Sequence, residues 1–288
     1  MEAKTSSGIF RSVAAGLIGL AVLVQAGCAS RSLSGGAPLR GTTSRVDVDV
    51  RASVQAAPAR GYIQVPKGGQ PGTTSPKRPR VGELGNGTAW RPVLDVKASW
   101  RRHQLHVGGA WISLQGDNRL TEDLLTQGDA YPAGTDISSS TSLHEAWVGY
   151  RYLFDLGAAP GDRLTVAPGL GIYSLGMHYL LSGSNGEEAN RSYTGYSPMV
   201  EAEIEWDPTG PIRFSSEIRA IWDEALGLSS PTNAFDACIR IHGDFWRKGG
   251  LFAEVGYYRG MHYDHQEVPN DYDVELAPYV GLGGQFRF

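Results

Sequence analysis

Residues 272–288 read YDVELAPYVGLGGQFRF and carry the clearest structural signal in the chain. Every second position is apolar or small, and one face is therefore formed by Tyr272, Val274, Leu276, Pro278, Val280, Leu282, Gly284, Phe286 and Phe288. Most of the charge lies on the positions between them. This alternation is typical of a β-strand with one apolar and one polar face. An aromatic final residue on such a strand is uncommon in a soluble sheet, because chain ends fray.

The same alternation recurs upstream. Val46–Val54, Leu94–Trp100, Glu201–Trp206 and Phe235–Trp246 each place apolar residues on one face and charged or polar residues on the other. We predict ten strands, near residues 45–54, 93–101, 104–114, 142–155, 163–175, 192–206, 212–223, 235–246, 250–262 and 272–288. Beyond residue 30, no apolar run approaches the ~18–20 residues that a transmembrane helix requires.

The connections between these strands are of two kinds. Short ones fall at 102–103, 156–162, 207–211 and 247–249, and mostly long, polar ones at 55–92, 115–141, 176–191, 224–234 and 263–271. Short turns at one end and long loops at the other are typical of bacterial outer-membrane barrels. The predicted fold is therefore all-β: a transmembrane, antiparallel, up-and-down β-barrel of ten strands, with eight as the alternative and with the C-terminus in the periplasm.

Aromatic residues are sorted by depth along the predicted strands. Those near the short-turn end are Trp100, Tyr152, Phe154, Trp206, Phe214, Phe245, Phe286 and Phe288, and those near the other end are Tyr196, Trp222, Tyr257 and Tyr272. Two aromatic girdles indicate the two borders of a lipid bilayer. Pro168, Pro198 and Pro278 lie inside predicted strands, where each removes a ladder hydrogen bond, so we expect them at bulges or near a rim.

The N-terminal segment predicts export. In residues 1–29, the basic residues Lys4 and Arg11 precede the apolar run Val13–Val24, which indicates a signal sequence. The small residues around Cys28 resemble a lipobox, with Gln25 as a departure from that pattern. Acylation of Cys28 and ordinary signal-peptidase cleavage nearby both stay open. Residues 30–44 are predicted to be a flexible linker, and 45–288 the barrel, with a long mobile loop at 56–91.

The composition excludes some functions. The net charge of −4 gives no basic surface for nucleic acid. The two cysteines, Cys28 and Cys238, provide no disulfide framework, and we expect Cys238 to be a small residue facing the lumen. The basic residues Lys77, Arg78 and Arg80 are candidates for contact with lipopolysaccharide phosphates, although loop solubility explains them equally well.

Residues 277–288, APYVGLGGQFRF, resemble the closing strand of small Gram-negative outer-membrane β-barrel proteins of the OmpA- and OmpW-like class. Residues 147–152 and 166–171 are similar to internal strands of that class. The resemblance implies an outer-membrane location, and it implies that Phe286 and Phe288 form an assembly signal read by the barrel assembly machinery. It also implies outer-membrane lipids and lipopolysaccharide as surroundings. It covers about residues 92–288 and brings no catalytic residues.

The predicted lumenal face is crowded with charge. Its principal members are Glu201, Glu203, Glu205, Arg213, Glu217, Arg219, Asp236, Arg240, His242, Asp244, Glu254 and Glu275, and further ones are Asp47, Asp49, Arg51, Asp95, Lys97, Arg101, Glu145, Arg151 and Arg287. Buried charges persist when paired, and this mixture of signs can pair. Two interpretations stay open, an ion-paired plug in a narrow barrel and a narrow or gated solute pore.

A non-enzymatic structural or surface-interaction protein, without cofactor or metal, is the favoured function. The alternative is a hydrolase at the extracellular rim, where His262, Asp264, His265 and Glu267 cluster. Their order and spacing do not match the omptin proteases. Lipid A deacylases use Ser and His on the lipid-facing wall, and no His-x-Ser is found on an outward face. We expect His242, beside Asp244 and Arg240, to belong to the lumenal network.

Overall fold

The computed structural model describes residues 46–64, 79–126, 129–157, 162–208, 210–222, 232–246, 248–263 and 271–288. The predicted signal sequence, the linker and Cys28 lie outside the described residues. So do 65–78 of the predicted loop, which include Lys77 and Arg78, and the rim residues Asp264, His265 and Glu267. Among the described residues, no helix is long and apolar enough to cross a membrane.

The strands follow one another in chain order. They are β1 (Asp47–Gln64), β2 (Thr88–Trp100), β3 (His103–Arg119), β4 (Leu124–Thr126), β5 (Asp129–Tyr131), β6 (Asp136–Tyr152), β7 (Phe154–Asp155), β8 (Arg163–Gly183), β9 (Glu188–Asp207), β10 (Ile212–Ile221), β11 (Thr232–Trp246), β12 (Gly249–Tyr263) and β13 (Asp271–Arg287). Strands β4 and β5 form a small separate hairpin, and β7 extends the pairing of β6 along β8.

Ten long strands form one closed antiparallel sheet. Each of β1, β2, β3, β6, β8, β9, β10, β11, β12 and β13 pairs with the next, and β13 pairs back onto β1. The prediction of a ten-stranded up-and-down barrel is confirmed, and the eight-stranded alternative is excluded. Closure leaves no free edge in this ten-stranded sheet, so the backbone groups of the long strands pair within the wall except at bulges and prolines.

The strands reach further than predicted at the long-connection end. Strand β1 continues to Gln64 and β2 begins at Thr88, so the predicted mobile loop at 56–91 is corrected at both ends. The predicted loop at 176–191 is largely strand, because β8 and β9 continue to a four-residue turn at 184–187. Residues 79–87 form a turn that packs inward, with Val81 and Leu84 fully buried.

An apolar belt surrounds the lower part of the wall. It includes the exposed side chains of Val54, Leu94, Val107, Val148, Leu170, Ile172, Val200, Ile204, Ile239, Ile241, Leu251, Val255, Val280 and Leu282. On β2 the belt runs from Trp90 to Trp100, and ten steps at ~3.4 Å on a strand tilted by roughly 40° give a height of about 25 Å. That height matches the apolar band of outer-membrane barrels, so the exterior is lipid-facing.

Exposed aromatic side chains lie at both borders of the belt. Trp90, Trp111 and Tyr196 mark the upper border, and Trp100, Trp206, Phe245, Phe286 and Phe288 mark the lower one. The predicted sorting by depth therefore holds, with one correction. Tyr272, predicted for the upper girdle, is 1% exposed and lies inside the barrel.

A bulge in β13 explains that correction. Between Leu276 and Tyr279, β13 has one residue more than both neighbours, as the register shifts at Ala56/Ala59 and Gly256/Tyr258 record. Because side chains alternate with period two, one extra residue exchanges the two faces. Val280, Leu282 and Phe286 therefore face lipid, whereas Tyr272, Val274 and Leu276 face the interior. Glu275, predicted to be lumenal, instead lies on the outer face, paired in register with Arg60 and Arg259.

The three prolines that the sequence places inside strands lie at interruptions of the ladder. Pro278 is in the β13 bulge. Pro168 falls in the gap between the pairs Arg151↔Gly169 and Phe154↔Val166, where β6 gives way to β7. Pro198 is one residue beyond Met199↔Ile221, the last pair of β9 with β10. The expectation that prolines occupy bulges or rims therefore agrees with the registers.

The interior has two layers of opposite character. At the height of the belt it is charged, and above the belt it is an apolar core that includes Ile63, Leu84, Ile112, Leu114, Leu143, Leu175, Met177, Leu181, Val274 and Leu276. The outer face at this upper level is polar, with Ser138, Asn190 and Ser192 partly or fully exposed. The polarity of the wall therefore inverts where its surroundings change from lipid to water.

Candidate functional site: a charge-balanced barrel interior

Among the described residues, the charged layer holds equal numbers of buried cations and buried carboxylates. Seven cationic side chains are at most 3% exposed, namely Arg51, Arg91, Lys97, Arg151, Arg213, Arg219 and Arg240. Seven carboxylates are at most 6% exposed, namely Asp95, Glu145, Glu201, Glu203, Glu217, Asp236 and Glu254. We call these fourteen residues the ion network. Equal numbers of opposite charges allow mutual compensation where water does not screen them, and the half-buried Asp49, Glu205 and Asp244 add partners for Arg51 and Arg213 at the short-turn end.

Arg151 on β6 lies at the centre of the lower part of the network. Its guanidinium donates to Glu201, to Glu203 Oε2 at 2.9 Å and to Glu217 Oε1 at 2.6 Å. Three carboxylates from β9 and β10 thus converge on one planar cation, whose several N–H groups suit this geometry.

Glu203 is held by cations from three strands. Arg51 Nη1 on β1 lies 3.0 Å from its Oε1, and Lys97 Nζ on β2 lies 2.8 Å from both of its oxygens. Arg151 completes the set. Strands β1 and β9 are five places apart in either direction around the ten-stranded ring, so Arg51 and Glu203 meet across the full width of the barrel.

Arg91 on β2 organises the upper part. It donates two hydrogen bonds to Glu145, at 3.1 and 2.8 Å, and one to Asp236 Oδ2 at 2.9 Å. Arg219 donates to the same Asp236 oxygen, and its guanidinium carbon lies 3.8 Å above the ring of Trp147. Stacking on an aromatic face compensates part of the desolvated charge of an arginine.

Two further residues connect the lower and upper parts. Arg240 donates to Glu217 at 2.6 Å and to Glu254 at 2.8 Å. Gln55 donates to Glu254 and accepts from Arg91, both at 2.9 Å. The hydrogen bonds therefore run without a break from Glu203 to Asp236, so the lower and upper parts of the ion network are connected.

His106 is fully buried within the network. Its Nδ1 lies 2.8 Å from Glu201 Oε2 and its Nε2 lies 2.9 Å from Asp95 Oδ1, while Trp147 Nε1 lies 3.1 Å from that same Nε2. His106, Glu201 and Glu217 are arranged closely enough to hold a metal ion. However, one guanidinium nitrogen of Arg151 contacts all three, so this arginine supplies the positive charge on which they converge.

The predicted lumenal residues fall into three groups. Buried inside are Glu201, Glu203, Arg213, Glu217, Arg219, Asp236, Arg240, His242 and Glu254. Glu205 and Asp244 are inside but half-buried at the short-turn end, near Arg213 at 2.8 and 3.8 Å. Glu275 is outside, for the reason given by the β13 bulge. His242 is bonded to Ser215 at 2.8 Å, and Cys238 is buried in the lumen.

Two central residues were missed by sequence reasoning. Arg91 falls within the range predicted as a mobile loop, and His106 lies in a predicted strand without an acidic neighbour in sequence. The odd or even position of each residue in its strand could have indicated that both face the lumen. Arg91 shares a face with Asp95 and Lys97, and His106 alternates with Leu105 and Val107.

His262 does not lie on an exposed rim. It is 4% exposed, and its Nδ1 lies 2.7 Å from Tyr193 Oη and 3.4 Å from Thr232 Oγ1. Its ring also lies against Tyr193 and Tyr272, with centroids 3.9 and 6.0 Å away. The predicted rim cluster is corrected at this residue, because the strands continue above the belt and enclose it.

The closed ten-stranded sheet with its lipid-facing belt defines the chain as a transmembrane β-barrel of the outer-membrane class. No family model matches it, and no curated protein matches it in sequence. Among solved structures it is similar to the outer membrane protease OmpT from Escherichia coli, at 9% identity and a TM-score of 0.38, over 87% of this chain and 99% of that one.

The outer membrane protein OprG from Pseudomonas aeruginosa is similar at 12% identity and a TM-score of 0.33, over 87% of this chain and 99% of that one. The Pseudomonas putida toluene transporter TodX is similar at 8% identity and a TM-score of 0.30, over 87% and 90%. At these values the likeness carries no activity, ligand or residue role to this chain.

Proposed function

We propose that this protein is a non-conducting barrel of the bacterial outer membrane that acts as a structural or surface-interaction protein. One observation carries the proposal: side chains from opposite walls meet inside the belt, with Arg51 Nη1 3.0 Å from Glu203 Oε1. The contacts of Arg91 with Glu145 and Asp236 fill the next level up.

The apolar core above the network adds a second seal. The turn at 79–87 packs Val81 and Leu84 into the upper mouth, and Ser139 Oγ donates to Leu84 O at 2.7 Å. A polar solute would have to cross an apolar layer and then separate paired charges. Breaking one buried ion pair costs about 3–5 kcal/mol, and several would have to break together.

The part of the barrel above the belt is the surface that such a protein offers to its surroundings. Strands β8 and β9 continue for roughly nine residues beyond the upper aromatic border, which is about 30 Å along the strand. We place this part outside the cell and the short-turn end in the periplasm, because outer-membrane barrels have short periplasmic turns. Outer-membrane lipids and lipopolysaccharide are the proposed surroundings of the belt, and the barrel assembly machinery the partner during insertion.

Single-channel recording in planar bilayers tests the proposal. Folded protein, checked by heat-modifiable migration on a gel, is expected to insert without ohmic current steps. A porin of known conductance, added to the same bilayer afterwards, shows that steps are detectable. Reproducible ohmic steps from the folded wild-type protein would contradict the plug and favour the narrow pore.

A further inference from the structure

A pair of serine–histidine contacts lies on the outer wall, at and just above the upper border of the belt. Ser142 and His144 alternate on β6 with their side chains outward, and Ser142 Oγ lies 3.3 Å from His144 Nε2. Ser142 is paired in register with His178 on β8, whose Nδ1 lies 3.0 Å from Ser192 Oγ on β9. The order Ser-x-His is the reverse of the His-x-Ser pattern sought in the sequence.

The height of His144 on the wall is given by its neighbour on β3. His144 is paired in register with Trp111, an exposed residue of the upper aromatic border, and the two rings lie 4.8 Å apart. Aromatic girdles lie at the level of the lipid headgroups. The ester bonds that join acyl chains to their headgroups lie close to that level. Ser142, one outward position above His144, lies on the headgroup side of the border, where an acyl ester of an outer-leaflet lipid can approach it laterally.

A glycine lies beside His144 on the outer wall. Gly176 on β8 lies next to His144 in the register, with Thr194 of β9 on its other side. A β-carbon at Gly176 would come within 3.4 Å of Thr194 Oγ1 and 3.8 Å of His144 Cβ. Because Gly176 has no side chain, the backbone of β8 is uncovered between His144 and Thr194.

The geometry points to a carboxylic-ester hydrolase site for acyl lipids of the outer leaflet, with Ser142 as nucleophile and His144 as general base. A hydroxyl within hydrogen-bond reach of an imidazole is the arrangement that activates serine, and such contacts are often long before substrate binds.

The reaction balances with water as the only co-reactant. The Ser142 hydroxyl proton passes to His144 Nε2 as Oγ attacks the ester carbonyl carbon, and the carbon–oxygen bond to the lipid alcohol breaks while His144 returns that proton to the alcohol. Water then attacks the acyl-serine with His144 taking its proton. The fatty acid leaves as Ser142 regains its hydrogen. This activity is additional to the proposed plug and does not depend on it.

The test uses the folded chain in liposomes that contain a phospholipid with a fluorogenic acyl ester, together with a fluorophosphonate probe that labels activated serines. We expect hydrolysis above that of empty liposomes, with the probe on Ser142. Ser142→Ala and His144→Ala are each expected to lose about 100-fold or more of the rate. Ser140→Ala, which removes an outward hydroxyl from the same strand, is the matched control and should retain it.

Heat-modifiable migration of every variant shows that it has folded. The assignment is overturned if the folded wild-type protein neither hydrolyses the ester nor takes up the probe. It is also overturned if the label appears on Ser192, or if Ser142→Ala hydrolyses as fast as wild type. If bilayers with the folded protein show no current steps, the proposed plug remains supported even when one of these results overturns the hydrolase site. The two proposals can therefore fail separately.

Discussion

Arg51 on β1 and Glu203 on β9 stand on opposite walls of the barrel, and their side chains meet at 3.0 Å in its interior. No pair of strands in a ten-membered ring is further apart. Two side chains are therefore enough to span the lumen, which explains why this barrel can be filled by its own residues. A ten-stranded barrel is only modestly wider than an eight-stranded one, which side chains just fill.

Glu203→Gln tests how much the ion network depends on balanced charge. The substitution keeps the shape of the side chain and leaves Arg51, Lys97 and Arg151 with one negative charge fewer. We expect a loss of about 3–5 kcal/mol in the free energy of unfolding, measured by urea titration of the folded barrel in lipid. Glu188→Gln, an exposed glutamate on the same strand, should change it by less than about 0.5 kcal/mol. Equal effects would count against a buried network.

The β13 bulge predicts opposite behaviour for two leucines of equal sequence parity. Leu276 is 1% exposed in the upper core, whereas Leu282 is 73% exposed toward lipid. Leu276→Ala should cost about 2–5 kcal/mol, because it leaves a cavity. Leu282→Ala should cost at most half as much, since lipid chains can occupy the vacated space. Chemical denaturation in lipid measures both, and a larger loss for Leu282→Ala would refute the reversal of faces.

Gly149 tests the packing of the network. A β-carbon at this position would lie 2.1 Å from Glu201 Oε1, and Glu201 cannot move away freely because Arg151 and His106 hold it. Gly149→Ala is expected to destabilise the barrel by about 1–3 kcal/mol, as overpacking does elsewhere. Gly284→Ala on β13, where nothing lies within 4 Å, is the control and should be nearly neutral. The same unfolding titration separates the two, and a neutral Gly149→Ala would argue for a looser interior.

Ser139 tests the upper seal. Its hydroxyl donates to Leu84 O at 2.7 Å and lies 3.3 Å from Asn86 Nδ2, so it joins β6 to the turn at 79–87. Ser139→Ala removes both contacts, and we expect the turn to open about 1–3 kcal/mol more easily. Hydrogen exchange of residues 79–87 should accelerate by about 5- to 150-fold, since each 1.4 kcal/mol is one factor of ten. Ser138→Ala, on the outer face beside it, should leave exchange unchanged.

Whether the sequence predicts the place of a site residue depends on whether that residue lies in a segment with clear apolar–polar alternation. Glu203 and Arg213 are predicted to face the lumen because apolar residues alternate with them, and both side chains are buried in the interior. Arg91 was missed because it falls within residues 56–91, predicted as a loop, although it shares parity with Asp95 and Lys97 of the adjoining strand. The Ser142–His144 contact was missed because only the opposite order was sought, although Ser142 and His144 share parity.

By itself the sequence determined the number of long strands, their directions and the face that meets lipid within the belt. These follow from local alternation and from the lengths of the connections, which act between residues close in the chain. Only the tertiary structure decided where that alternation reverses, which placed Leu276 inside and Glu275 outside. It also decided that Arg51 reaches Glu203. Such contacts depend on the register of β13 and on closure of the ring, and one extra residue in a strand is enough to exchange its faces.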